Sequence, residues 1–157
     1  MARKMLNGCL VVLAAFLCPL SVIAVTGAFS LIGALAGPSD ADIEATVPES
    51  VPADAPFPIT VSIANTGDEA QTLHSIDLTA SAPDAVEVLR TAPAFSGTTL
   101  DGTFHTYEFG NAIAPAETLE VTLDVVIHET GNQELQLGVC ANSQLSCNLL
   151  VTEIEVR

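Results

Sequence analysis

Thr118-Leu119-Glu120-Val121-Thr122-Leu123-Asp124-Val125-Val126-Ile127-His128 alternates apolar and polar side chains almost without interruption. Leu119, Val121, Leu123, Val125 and Ile127 fall on one face. Thr118, Glu120, Thr122, Asp124 and His128 fall on the other. A period of two is what a β-strand needs to bury one side, and a helix would scatter these residues around its axis. The stretch is therefore predicted to be a long strand with a buried face.

The text on either side reads the same way. Glu129-Thr130-Gly131-Asn132 turns the chain back, and Leu135, Leu137 and Val139 repeat the alternation through residue 140. A last strand is expected over 147 to 156. Ile59, Val61 and Ile63 alternate with Thr60, Ser62 and Ala64, which predicts a strand over 58 to 65 with odd positions inward. Asn65-Thr66-Gly67-Asp68 supplies the turn after it. Weaker strands fit at 42 to 48, 70 to 80, 85 to 91 and 103 to 109. The spacing from Leu73 to Ile76 slips phase, which suggests a bulge near His74 and Ser75. About eight short strands, each with one apolar face and no amphipathic helix among them, bury those faces best as two packed antiparallel sheets. The expected class is all-β, an immunoglobulin-like antiparallel β-sandwich of seven or eight strands.

The first 37 residues differ in kind. Arg3 and Lys4 precede an uncharged run from Met5 to Gly37, and charge returns only at Asp40. A helix over Cys9 to Ala36 would be about 40 Å long at 1.5 Å per residue, enough to span the ~30 Å hydrocarbon layer with tilt. Basic residues are retained on the cytoplasmic side, so the segment is expected to be a single-pass signal anchor. Its N-terminus would be cytoplasmic and the rest extracellular or periplasmic. The competing reading is a cleaved signal peptide, because Ala34-Leu35-Ala36 has the small-x-small pattern of a cleavage site. Against it, a signal peptide's apolar region is typically about 7 to 15 residues, and this run is far longer. Thr26, Ser30 and Ala34, and again Gly33 and Gly37, place small residues at four-residue spacing where another membrane helix could approach closely. The organisation expected is therefore 1–37 for the tip and anchor, 38–41 for a linker, and 42–157 for the sandwich.

Beyond residue 38 the chain has nineteen Asp and Glu against Arg90 and Arg157, seventeen excess negative charges, and no lysine. Such a surface repels phosphate backbones, which argues against nucleic acid as a partner. The counterparts it favours are basic protein surfaces, cations, or simply a salty or acidic medium that screens or neutralises the charge, and the scattering of the acids favours a solvated, self-repelling surface over a dedicated site. Asp40-Ala41-Asp42 lacks the further oxygen ligands at alternating positions that calcium needs, so no metal is expected there.

The run from Pro52 to Asp68, Pro52-Ala53-Asp54-Ala55-Pro56-Phe57-Pro58-Ile59-Thr60-Val61-Ser62-Ile63-Ala64-Asn65-Thr66-Gly67-Asp68, resembles the second strand of CARDB-type and related immunoglobulin-like surface domains of bacteria and archaea. Those domains often carry an apolar strand ending in Asn-Thr-Gly. Pro115-Ala116-Glu117-Thr118-Leu119 resembles their later proline turn leading into a long strand. The sequence departs where such domains often have glycine, at Asp54 and Ala116. The resemblance implies a cell-surface binding, adhesion or spacer module, and it brings no catalytic residues.

Cys140 ends one predicted strand and Cys147 starts the next, so a hairpin would set them opposite each other at a distance suited to a disulfide. An oxidising exterior permits the bond. Cys9 and Cys18, inside the apolar run, are expected to act as small apolar residues. His74, His105 and His128 show neither i, i+4 pairing nor His-x-His spacing, so no shared metal site is expected. His74, Ser75 and Asp77 lack the Gly-x-Ser-x-Gly elbow of a serine hydrolase. Tyr107, Phe104 and Phe109 are expected in the core, and with no tryptophan the domain lacks the usual stacking platform for sugars. No catalytic site, cofactor or metal site is expected. The function expected is a non-enzymatic, membrane-anchored protein-interaction module, an accessory or scaffold subunit with a protein partner in or at the membrane. The alternative is a cell-surface ligand- or carbohydrate-binding or adhesion domain.

Overall fold

The computed structural model describes residues 40–143 and 145–157, which belong to one compact unit. The expected anchor within residues 1–37 and its small-residue positions Thr26, Ser30, Gly33, Ala34 and Gly37 lie outside the described residues.

Among the described residues ten strands form: β1 (Ala41–Thr46), β2 (Ser50–Val51), β3 (Phe57–Asn65), β4 (Gln71–Thr79), β5 (Val86–Ala92), β6 (Gly97–Asp101), β7 (Phe104–Ile113), β8 (Thr118–Ile127), β9 (Gly131–Ala141) and β10 (Cys147–Val156). One 3-10 turn, Pro83–Ala85, precedes β5. The strands make a four-stranded sheet in the order β1-β3-β8-β5 and a six-stranded sheet in the order β2-β10-β9-β4-β7-β6. Every pairing is antiparallel except that of β2 with β10.

The alternation read in the sequence sets the core. Ile59, Val61 and Ile63 of β3 and Val121, Leu123, Val125 and Ile127 of β8 are wholly buried. They pack against Leu73, Ile76 and Leu78 of β4, Leu135 and Val139 of β9, and Ile154 of β10. Each such aliphatic side chain contributes about 1.5 to 3 kcal/mol of burial, and two sheets facing each other are how a strand with one apolar face removes it from water. The bulge expected near His74 is present as a register shift between Leu73 and Ser75 against both β7 and β9. Two strands exceed the expected number. The chain leaves β3 after Thr46 and joins β10 at Ser50, with Pro48, which cannot donate to a ladder, at the crossing between sheets.

The Asn-Thr-Gly stretch is a buried knot. Asn65 is 2% exposed, and its carboxamide nitrogen donates to the carbonyls of Glu69 at 2.8 Å and Ile113 at 2.9 Å. Its carboxamide oxygen accepts from the Gly67 N–H at 3.0 Å and from Gln71 Nε2 at 3.2 Å. A Cβ at Gly67 would stand 2.6 Å from Asp40 Cβ, so only glycine fits that turn. Across the same end, Glu117 N–H donates to the Ala114 carbonyl at 3.0 Å, closing a turn with Pro115 second and Ala116 third. Ala116 has φ 61°, the left-handed value a type II turn demands at that place. Asp54 has φ 57°. The two positions where CARDB-type domains often have glycine are thus two of the left-handed positions of this chain.

Candidate interaction face

β9 and β10 pair from Cys140 opposite Cys147 to Gly131 opposite Val156, with no register shift. β2 covers the far side of β10 only at Glu155 and Val156. There the Glu155 N–H donates away from β9, to the Glu49 carbonyl at 3.0 Å, and the Arg157 N–H donates to the Val51 carbonyl at 2.9 Å. Because backbone direction alternates along a strand, the N–H and C=O groups of Glu153, Val151 and Leu149 also point away from β9. The other end of the hairpin agrees. Cys140 and Cys147 have a Cα separation of 3.9 Å, the short spacing of a non-hydrogen-bonded pair. The next position is bonded, with the Ala141 N–H donating to the Ser146 carbonyl at 3.1 Å. Among the described residues, no strand pairs with β10 on that side between Leu149 and Glu153.

The side chains of the same residues leave the outer face of the sheet, because Leu150, Ile154 and Val156 turn inward to the core. Leu149 is 44% exposed, Val151 49%, and Leu145 at the hairpin tip 98%. Farther along β10, Glu153 lies directly opposite Glu134 on the outer face. In a non-hydrogen-bonded pair the side chains stand closest, so this is an adjacent like-charge pair. The margin of β10 is thus apolar toward the disulfide and acidic toward its C-terminal end.

Cys140 and Cys147 are joined by a disulfide, as the hairpin geometry required. Asp77 of β4 sits behind it, opposite Gly138 of β9, whose missing side chain leaves it room: a Cβ there would lie 3.4 Å from Asp77 Cβ. Asp77 Oδ2 lies 3.5 Å from Cys140 Sγ. A disulfide sulfur carries no hydrogen, so this is a contact and not a hydrogen bond. The other oxygen, Oδ1, is buried and has no hydrogen-bond partner among the described residues. With both sulfurs bonded to each other, the three groups offer no thiolate to a metal.

A second cluster lies at the opposite end. His128 Nδ1 is 2.7 Å from Asp54 Oδ1, and His128 Nε2 is 3.6 Å from Glu87 Oε2. The hydrogen bond to Asp54 raises the imidazole pKa above its usual value, with Glu87 adding to the effect and loss of hydration opposing it. The strand ends are laced beneath it, Asp54 N–H donating to the Ile127 carbonyl at 3.0 Å and His128 N–H to the Ala85 carbonyl at 2.8 Å. All three side chains are well exposed, and the arrangement ties the turn before β3 to β5 and β8. Residues 54, 87 and 128 are scattered in the chain, and no spacing rule signals their meeting.

The remaining residues singled out from sequence take varied places. Tyr107 and Phe109 are core residues and Phe104 is half-buried. Phe95 packs edge-on against Tyr107 with ring centroids 5.4 Å apart. Burial raises the Tyr107 pKa, partly offset by a hydrogen bond from the Val88 backbone. His74 sits at the bulge, His105 on β7 in register with Leu78, and Ser75 is buried opposite Cys140. The three histidines are on separate elements.

No protein-family model matches the chain, and no curated protein matches it. Solved structures do. A Salmonella alpha-2-macroglobulin is similar with a TM-score of 0.52 at 18% identity, over 76% of this chain and 7% of that one. Red sea bream transglutaminase gives 0.52 at 16% identity, over 74% of this chain and 15% of that one. The chain therefore spans only a small part of those two proteins. The CARDB domain of the PF1109 protein from Pyrococcus furiosus is similar at 14% identity over 75% of this chain and 88% of that one, with a TM-score of 0.46. The fold is a two-sheet, almost wholly antiparallel β-sandwich, and the likeness in each case is of fold alone.

Proposed function

We propose that this chain is a non-enzymatic, membrane-anchored extracytoplasmic module whose work is protein contact, as an accessory or scaffold subunit of a membrane or cell-surface assembly. The observation that carries the reading is the exposed apolar strip of Leu145, Leu149 and Val151 on a disulfide-fastened hairpin. Large apolar side chains exposed on one hairpin of an otherwise acidic domain favour a surface that another protein covers. The uncharged run from Met5 to Gly37 supplies the anchor, and the disulfide suits an oxidising space outside the membrane.

The test is purification of the full chain from its native membrane in mild detergent. A stoichiometric protein partner, lost when Leu149 and Val151 are both replaced by serine, supports the reading. A lone monomer in the soluble fraction contradicts it.

A further inference from the structure

We infer that the open margin of β10 from Leu149 to Glu153 accepts an extended segment of another protein as an added strand, apolar at the disulfide end and cationic at the Glu153 end. This rests on the protein-contact reading above and names the place and the kind of partner.

Three observations converge on it. The N–H and C=O groups of Leu149, Val151 and Glu153 point out of the sheet edge, a direction fixed at one end by the Glu155 to Glu49 bond and at the other by the 3.9 Å cysteine pair. Sheet edges are ordinarily blunted by bulges, prolines or charged side chains, and of these the stretch has only the charge of Glu153 at its far end. By contrast, β5 at the edge of the other sheet is broken by a bulge between Val88 and Arg90. The second observation is the exposure of Leu149 and Val151 above that edge, which gives an added strand apolar side chains to cover.

The third observation decides the occupant. Glu153 faces Glu134 across the ladder. Arg157, the nearby cation, is already engaged by Ser50 and by Glu155 at 3.8 Å. Two facing carboxylates without a counter-charge favour a strand that brings Lys or Arg to that end. A second copy of this chain would bring its own seventeen excess acids to the contact, so self-pairing is disfavoured where a basic strand is not.

The probe is a fluorescent eight-residue peptide with valine in one half and lysine in the other, made in both orders, titrated against the full chain in detergent micelles and read by anisotropy. Two controls accompany it: a valine–glutamate peptide, and a lysine–proline peptide of equal charge that cannot pair as a strand. The account expects saturable binding of the valine–lysine peptide alone, weakened at least about tenfold by Val151→Pro or Val151→Lys. Val151→Pro removes an N–H that the β9 ladder does not use; should it unfold the domain, Val151→Lys carries the test. Equal binding of the lysine–proline peptide, no binding of the valine–lysine peptide, or undiminished binding by Val151→Lys overturns the inference. A dimer in sedimentation that Val151→Lys dissolves also overturns it, assigning the edge to a second copy. A membrane partner retained by Val151→Lys sinks this inference and leaves the protein-contact reading standing. Peptide binding with no membrane partner does the reverse.

Discussion

The Asn65 side chain donates a hydrogen bond to the main-chain carbonyl of Ile113 at 2.9 Å, joining the end of β3 in one sheet to the end of β7 in the other. With Glu69, Gly67 and Gln71 it fills the hydrogen-bonding capacity of a buried carboxamide. That makes Asn65 a clamp between the two layers, and gives the Asn-Thr-Gly stretch a structural purpose beyond turning the chain.

Asn65→Asp replaces a donor by an acceptor facing two carbonyls in a buried site. The expected loss is about 3 kcal/mol or more, because a buried polar atom left unpaired costs about 1 to 3 kcal/mol and two bonds are removed. Urea unfolding measures it, and a loss under about 1 kcal/mol would show that the clamp is not what joins the sheets there.

Ala116→Gly should stabilise the domain by about 0.5 to 1 kcal/mol. A left-handed alanine costs about 1 to 2 kcal/mol, and the greater freedom of unfolded glycine returns part of that. Asp54→Gly should bring no such gain, since it also removes the contact with His128. Comparison of the two midpoints in thermal unfolding separates backbone relief from the lost side-chain pair.

Removal of the disulfide by Cys140→Ala with Cys147→Ala should cost about 2.5 kcal/mol, the chain-entropy value for a closed loop of about eight residues. The β9–β10 ladder continues to Val156 and Gly131, so the sandwich should survive the change. Near-native circular dichroism with a lowered urea midpoint is the expected result.

His128 provides a pH signature. Its folded pKa is raised, chiefly by Asp54, so the charged form is favoured in the folded state. The resulting stability is fully present below the unfolded value of about 6.5 and is lost as pH rises through the higher folded value. Wild type minus His128→Gln, compared by melting temperature from pH 5.5 to 9, should therefore show a difference that shrinks toward the alkaline end. A difference growing with pH would contradict the pairing.

Much of this architecture is written in residue alternation. β3, β8 and β9 are each long enough for Ile, Leu and Val at every second place to declare the buried face, whereas Leu149-Leu150-Val151 puts apolar residues on both faces of β10 and hides which one is buried; the slip at His74 is audible as a lost phase. β2 and β6 are silent for opposite reasons. Ser50–Val51 is too short for any period, and in Gly97–Asp101 the lone large apolar residue, Leu100, is 63% exposed. The cysteine bond was legible because both partners flank one hairpin. The Asp54, Glu87 and His128 cluster was not, because three elements meet there only after folding. The open edge of β10 was also hidden, since a strand's sequence does not state which of its neighbours stops short. Pro115 marks the left-handed position as well: a proline second in a turn of this type asks for a left-handed residue next, and alanine stands there.

Amide hydrogen exchange along β10 tests the open edge most directly. Leu150 and Thr152, bonded toward β9, should be protected, while Leu149, Val151 and Glu153 should exchange far faster in the unliganded protein. Uniform protection from Leu149 to Glu153, or protection on the odd residues instead, would contradict the arrangement on which the docking edge depends.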